Sequence, residues 1–215
     1  MKAIQCFWWR YRRETLVGLA LMLVAAAWLF SIAHASTPEV VLVIGEPYEQ
    51  MRKHSSASLP PVIPGHVWGG DVEKPAILRF NDPQFGFTTP PAKFLAVSHD
   101  EQGRVATVRM SPQVDTLTLD EALKVVLGLQ EQLRRGGWKV LSVRGNGDAP
   151  YIDTPEVREK IKQGKPYQAY WDADKKYGVS YWIARFADDK RPKEERYLIT
   201  LTIGRSWRVA LDLDE

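Results

Sequence analysis

The sequence predicts an α+β fold: a mixed, largely antiparallel sheet with two or three helices, preceded by an N-terminal transmembrane helix or signal segment. Three observations carry that expectation. Strand-like runs and helical patterns are interspersed, without the strict alternation of a parallel α/β chain. The C-terminal third reads as a continuous meander of strands. Residues 1–35 separate from the rest by composition, so residues 36–215 are expected to form a single exported domain.

The leader places Lys2, Arg10, Arg12 and Arg13 ahead of an uncharged apolar run from Leu16 to Ala33. As a helix at about 1.5 Å per residue, that run reaches roughly 27 Å, close to the roughly 30 Å of bilayer hydrocarbon. Phe7, Trp8, Trp9 and Tyr11 beside the arginines have the character of an interfacial belt, with the basic end held in the cytoplasm. Ala33-His34-Ala35 is also a small-x-small cleavage site. Length favours a retained anchor through residues 16–33 of a bacterial inner membrane; cleavage after Ala35 would leave a soluble periplasmic domain. Both place residues 36–215 in the periplasm.

Along the exported part, Val40–Ile44 is a β-branched run closed by Gly45. Pro47 then opens a short helix to His54. Residues 55–75 are rich in proline, glycine and serine and read as an extended loop. A buried strand is expected at Ala76–Phe80, ended by the turn signal Asn81-Asp82-Pro83. Lys93–Ser98 and Val105–Met110 form a hairpin around Asp100–Gly103, with Ala106, Val108 and Met110 on the apolar face of the second strand. The clearest element is a helix over Leu119–Arg135. Thr118 and Glu121 have capping-box spacing, Leu119, Leu123, Val126 and Leu133 form an apolar stripe, and Gly136-Gly137 stop it. Trp138–Val143 returns as a strand. Thr154, Pro155 and Gly164 frame a second helix over Pro155–Gln163. The meander follows as Tyr167–Asp172, Val179–Ala187 and Tyr197–Ile203, with its first turn through Asp174–Gly178.

Charge and cysteine usage narrow the function classes. Removing the leader's four bases and one acid from totals of 29 and 26 leaves 25 of each sign, so the pI near 8.9 belongs to the leader. A neutral domain without a basic run is a poor partner for nucleic acid. The single cysteine, Cys6, precedes the apolar run, so the exported part offers no thiol nucleophile and no disulfide.

No motif demands catalysis. The nucleophile elbow G-x-S-x-G is absent. His54, His66 and His99 each lack a neighbouring triad pattern, and His66 with Asp71 and Glu73, or His99 with Asp100, does not have zinc-ligand spacing. Asp120-Glu121 belongs to a helix start and Glu194-Glu195 to a charged loop, which explains both pairs without a glycosidase role. Gly145-Asn146-Gly147 lacks the third glycine and the helix opening of a dinucleotide fingerprint. No catalytic residue, metal or cofactor is therefore assigned.

The aromatics carry more information. On Val179–Ala187, Ser180, Trp182, Ala184 and Phe186 share one face, while Val179, Tyr181, Ile183 and Arg185 share the other. Both faces are substantially apolar or aromatic, so either both are covered or one meets a partner. Tyrosine, tryptophan and arginine dominate interface hot spots. The partner-binding candidates are therefore Trp68, Trp171, Tyr181, Trp182 and Arg185, with Arg191 and Arg196 from the charged loop Asp188–Arg196. Core packing is the competing explanation for the aromatics, and a solvated loop for the charges.

The stretches Pro64–Gly69, Phe80–Phe87 and Glu195–Thr202 resemble a group of proteobacterial envelope proteins, themselves similar to the immunity-type proteins encoded beside type VI secretion effectors. The resemblance covers most of the exported domain but carries no established active site, so no residue roles transfer. It implies a non-enzymatic domain that binds and occludes an incoming toxin. An accessory or assembly factor of an envelope complex is the alternative, and an envelope hydrolase the third reading.

Overall fold

The capping box forms as expected. Thr118 accepts a hydrogen bond from the Glu121 amide, and the Glu121 carboxylate accepts from the Thr118 amide and hydroxyl. The helix it starts, α2, spans Leu119–Arg135 and buries Leu119, Ala122, Leu123, Val126, Leu129, Gln130 and Leu133 along one side. The computed structural model describes residues 37–63, 69–141, 153–206 and 208, and the described residues all belong to one compact unit, Thr37–Glu215. The expected leader lies outside the described residues. Among those described, no helix is long and apolar enough to cross a membrane.

The fold is α+β. Its described helices are α1 (Tyr48–His54), α2 and α3 (Pro155–Lys162). The strands are β1 (Glu39–Leu42), β2 (Gly70–Asp71), β3 (Ile77–Phe80), β4 (Phe87–Thr88), β5 (Phe94–His99), β6 (Val105–Ser111), β7 (Lys139–Val140), β8 (Tyr167–Ala173), β9 (Tyr177–Phe186) and β10 (Arg196–Arg205). Seven of these form a wholly antiparallel sheet in the order β2-β5-β6-β10-β9-β8-β7. The other three form a small sheet, β1-β3-β4, in which β1 and β3 run parallel. Helix α2 packs on β10 and on β4, while α3 packs on β8 and β9. Both helices lie on the face of the large sheet that buries Val179, Tyr181, Ile183, Tyr197, Ile199, Leu201 and Ile203. That face is called inner below, and the opposite one outer.

Several elements depart from expectation for definable reasons. Loop 55–75 is anchored: Ala57 and Leu59 are buried, the Ala57 amide donates to Glu39, and the Tyr48 hydroxyl donates to the Pro60 carbonyl. Its far end supplies β2, a short edge strand on β5, and residues 64–68 lie outside the described residues. In β6 the alternation slips. Ser98 opposes Thr107 but His99 opposes Val105, so Ala106 is an extra residue, a bulge that turns Val105 inward. Of the expected strand Trp138–Val143, β7 holds Lys139–Val140, and residues 142 and 143 lie outside the described residues. Trp138 instead joins an aromatic cluster with Phe80, Phe85, Phe87 and Tyr177, donating its indole N–H to the Phe85 carbonyl at 3.0 Å. The β8–β9 turn is tighter than expected: Asp174 and Lys175 both adopt positive φ, the Lys176 amide closes on the Ala173 carbonyl, and Tyr177 and Gly178 are already in the strand.

The turn Asn81-Asp82-Pro83 also does more than end a strand. The Asp82 carboxylate accepts from the Gln84 and Phe85 amides, from Lys176 at 3.0 Å and from the Tyr177 hydroxyl at 3.0 Å. Burial alone would raise its pKa, but these hydrogen bonds outweigh it and hold the group at about 2. Gly86 follows because a Cβ there would stand 2.7 Å from the Asp82 carbonyl oxygen. This turn ties the small sheet to the β8–β9 hairpin of the large one.

Candidate functional site

The two faces of β9 have different surroundings. Tyr181 is buried beneath α2, where Gln130 Nε2 approaches its hydroxyl at 2.5 Å and Trp171 Nε1 at 3.5 Å. Burial pushes the Tyr181 pKa well above its ordinary value. Tyr181 and Trp171 are each 1% exposed, so neither presents its ring to a partner; both are corrected to core residues. The physical reason is the inner-face parity they share, since Trp171 pairs with Val179 and Tyr181 with Ala169 across the β8–β9 ladder.

The next residue along β9 points the other way. Trp182 is 37% exposed and Phe186 43%, and Phe94 on β5 is 39% exposed. The strand register arranges the outer face in cross-strand rows. One row pairs Phe94 with Ser111 on one side of the sheet and Thr200, Trp182 and Gln168 on the other. The next runs Ala96, Arg109, Thr202, Ser180, Tyr170. Beyond it, Asp172 is occupied by Ser206 and Arg208. Two shallow cavities open on the face. One, of about 330 Å³, has walls of Phe94, Ala96 and Val97; the other, of about 250 Å³, lies against Gln168, Trp182 and Thr200; Arg109 borders both.

The charged loop is pinned rather than freely solvated. Thr116 donates to the buried Asp188 carboxylate at 2.6 Å, and Arg191 bridges Asp188, Thr116 and Asp115. Arg191 Nη1 lies 2.9 Å from Thr116 Oγ1, and its bond to Asp115 raises its pKa. Arg196 is mostly buried, paired with Glu194, and its Nε has no partner. Arg185 is half-exposed, donating to the Lys162 carbonyl and lying 3.5 Å from Glu195. Of the residues singled out in the sequence, the structure therefore leaves Trp182 and Arg185 open, commits Arg191 and Arg196 to holding the loop, and buries Trp171 and Tyr181. Trp68 lies outside the described residues.

The weaker chemical candidates stay apart. His99 is buried edge-on to Tyr48 at 5.3 Å, with Nδ1 3.0 Å from the Asp100 carbonyl oxygen. The Asp100 carboxylate caps its own turn through the Gln102 and Arg104 amides. His54 lies 2.9 Å from the Val41 carbonyl oxygen. Asp120 pairs with Arg158, and Glu121 completes the capping box with Thr118. Among the described residues, no group of three or more His, Cys, Asp or Glu side chains is placed to hold a metal. His66 and Gly145–Gly147 lie outside the described residues.

Sequence reasoning missed Phe94 and Arg109. Arg109 was visible as a charge on the mixed face of a predicted strand, but its place on an interior strand of the sheet depends on pairing with β10, about ninety residues away. Comparison with protein-family models, with curated proteins and with solved structures found no match to this chain.

Proposed function

We propose that the domain is a binding protein that meets a protein partner with the outer face of its large sheet. The observation that carries this reading is the contrast between the faces: two helices pack on the inner one, while the outer one presents Phe94, Trp182 and Phe186 to solvent. Exposed aromatics grouped on one rigid sheet are the chemistry of interface anchors. Anchored by residues 16–33 and facing the periplasm, such a domain acts as an immunity-type inhibitor, occluding a secreted antibacterial toxin.

The experiment is an affinity capture from membranes with the C-terminally tagged full chain, with mass spectrometry of bait and prey. A stoichiometric secreted toxin, lost on Trp182→Ala, supports the reading. Recovery of structural envelope proteins alone overturns the toxin and favours an assembly factor. The bait's own N-terminus decides the leader: a start at Ser36 means cleavage, and an intact start means a retained anchor.

A further inference from the structure

We infer that Arg109 is the anchor point of the outer face, and that it receives a carboxylate from an acidic segment of the partner protein. The inference rests on the binding reading above and names the chemistry of the partner at that face.

Arg109 stands on an interior strand, β6, with β5 on one side and β10, β9 and β8 on the other. Its direct neighbours in register are Ala96 and Thr202, and beyond Thr202 come Ser180 and Tyr170. None carries charge. Arg109 is exposed and, among the described residues, its side chain makes no hydrogen bond or ion pair. Arg185 of β9 and the charged-loop arginines Arg191 and Arg196 differ in this respect, since each already faces an acid. Arg109 is thus a positive charge among neutral register neighbours, and among the described residues its side chain is left unmatched.

A guanidinium is a planar fork of five donors with no acceptor, and its best complement is a carboxylate held bidentately. The surroundings fit that use. Thr107, Thr200, Thr202 and Ser180 border the same two cavities and offer neutral hydroxyls to the remaining carboxylate lone pairs. Phe94 and Trp182 stand on either side, three strands apart in the sheet and so about 14 Å from one another. When a partner covers them they exclude water from the pair, which strengthens it.

The apolar cavity beside Arg109 decides the class of partner. Phe94 and Ala96 supply its apolar wall beside Ser98 and Thr107, and its volume of about 330 Å³ accommodates an apolar side chain adjoining the acid. A protein segment supplies that combination. A nucleic acid would need several cations close together, whereas the register neighbours of Arg109 in its own row and in the Phe94–Trp182 row are neutral, and an acidic glycan offers no apolar group of that size.

The test uses the full chain in lipid nanodiscs, titrated with a fluorescent peptide of alternating leucine and glutamate. Three comparators accompany it: a leucine–glutamine peptide, an oligouronate, and the variants Arg109→Gln and Arg109→Lys. The expected result is that the glutamate peptide binds at least about tenfold more tightly than the glutamine peptide, a preference that Arg109→Gln abolishes and Arg109→Lys partly keeps. Equal binding of the two peptides, or an unchanged preference in Arg109→Gln, overturns the inference. Tighter binding of the oligouronate also overturns it, in favour of an anionic glycan. Membrane capture with Arg109→Gln separates this inference from the broader one. A partner held by wild type and by Arg109→Gln, but lost on Trp182→Ala, leaves the binding face standing and removes Arg109 as its anchor.

Discussion

Adjacent residues of β9 have opposite roles. Tyr181 lies under α2 in contact with Gln130 and Trp171, while Trp182, one step along, faces solvent between Gln168 and Thr200. Both are large aromatics with a polar atom, and their sequence neighbourhoods are nearly interchangeable. What separates them is the helix layer, which covers only one side of the sheet. The contrast shows that an aromatic-rich strand is informative about function only after the covered face is known. The most direct way to break the contrast is to truncate its inner side. Trp171→Ala is expected to cost about 3–5 kcal/mol, because it removes a fully buried indole and leaves a cavity. Urea unfolding of the domain would measure this, and a loss below 1 kcal/mol would mean that the inner face is not the core.

The Tyr177 end of the same strand carries the second-largest effect. Asp82 binds Tyr177 and Lys176, and its pKa falls from an ordinary 3.8 to about 2 on folding. A carboxyl with a lowered folded pKa stabilises the protein fully above about 3.8, and that stabilisation is lost as the pH falls through about 2. The difference corresponds to about 2 kcal/mol. Asp82→Asn is therefore expected to lower stability by about that amount at pH 7, with the gap between variant and wild type closing near pH 2. A gap that stays constant across the acid range would mean that shape, not charge, holds this turn to β9.

A smaller effect belongs to the helix that makes the two faces unequal. Thr118→Ala removes the side-chain acceptor of the α2 capping box and should cost about 1 kcal/mol, with Thr118→Ser recovering most of it. Thermal unfolding followed by circular dichroism would read both.

The same helix marks how much of the fold was legible in the sequence. Its start, stripe and stop are local signals spaced within one element, so Leu119–Arg135 was predictable to the residue. The C-terminal meander was legible for a similar reason, since alternation along Tyr197–Ile203 requires only one covered face. Pairings across long stretches of chain were not. The parallel β1–β3 pair, the β6–β10 register and the β6 bulge depend on tertiary partners. The candidate site suffered most from this. Trp171, Tyr181 and Trp182 were chosen together, and only the packing of α2 and α3 separates the first two from the third. Arg191 and Arg196 were chosen for their charge, and only the fold reveals that Asp115, Asp188 and Glu194 already occupy them.

The smallest stability effect is expected on the outer face, and its smallness sharpens the contrast. Trp182 and Arg109 stand on a rigid sheet whose strands are held by backbone pairing and by the inner core, so their side chains contribute little to folding. Trp182→Ala and Arg109→Gln should each change unfolding free energy by less than about 0.5 kcal/mol, as exposed positions generally do. The measurement is urea unfolding of both variants beside Trp171→Ala, with partner capture carried out on the same preparations. Loss of capture without loss of stability separates a surface kept for a partner from one kept for the fold. If Trp182→Ala instead destabilises by 2 kcal/mol or more, the outer face is a second packing surface covered by the domain's own chain, and the two faces of β9 are alike after all.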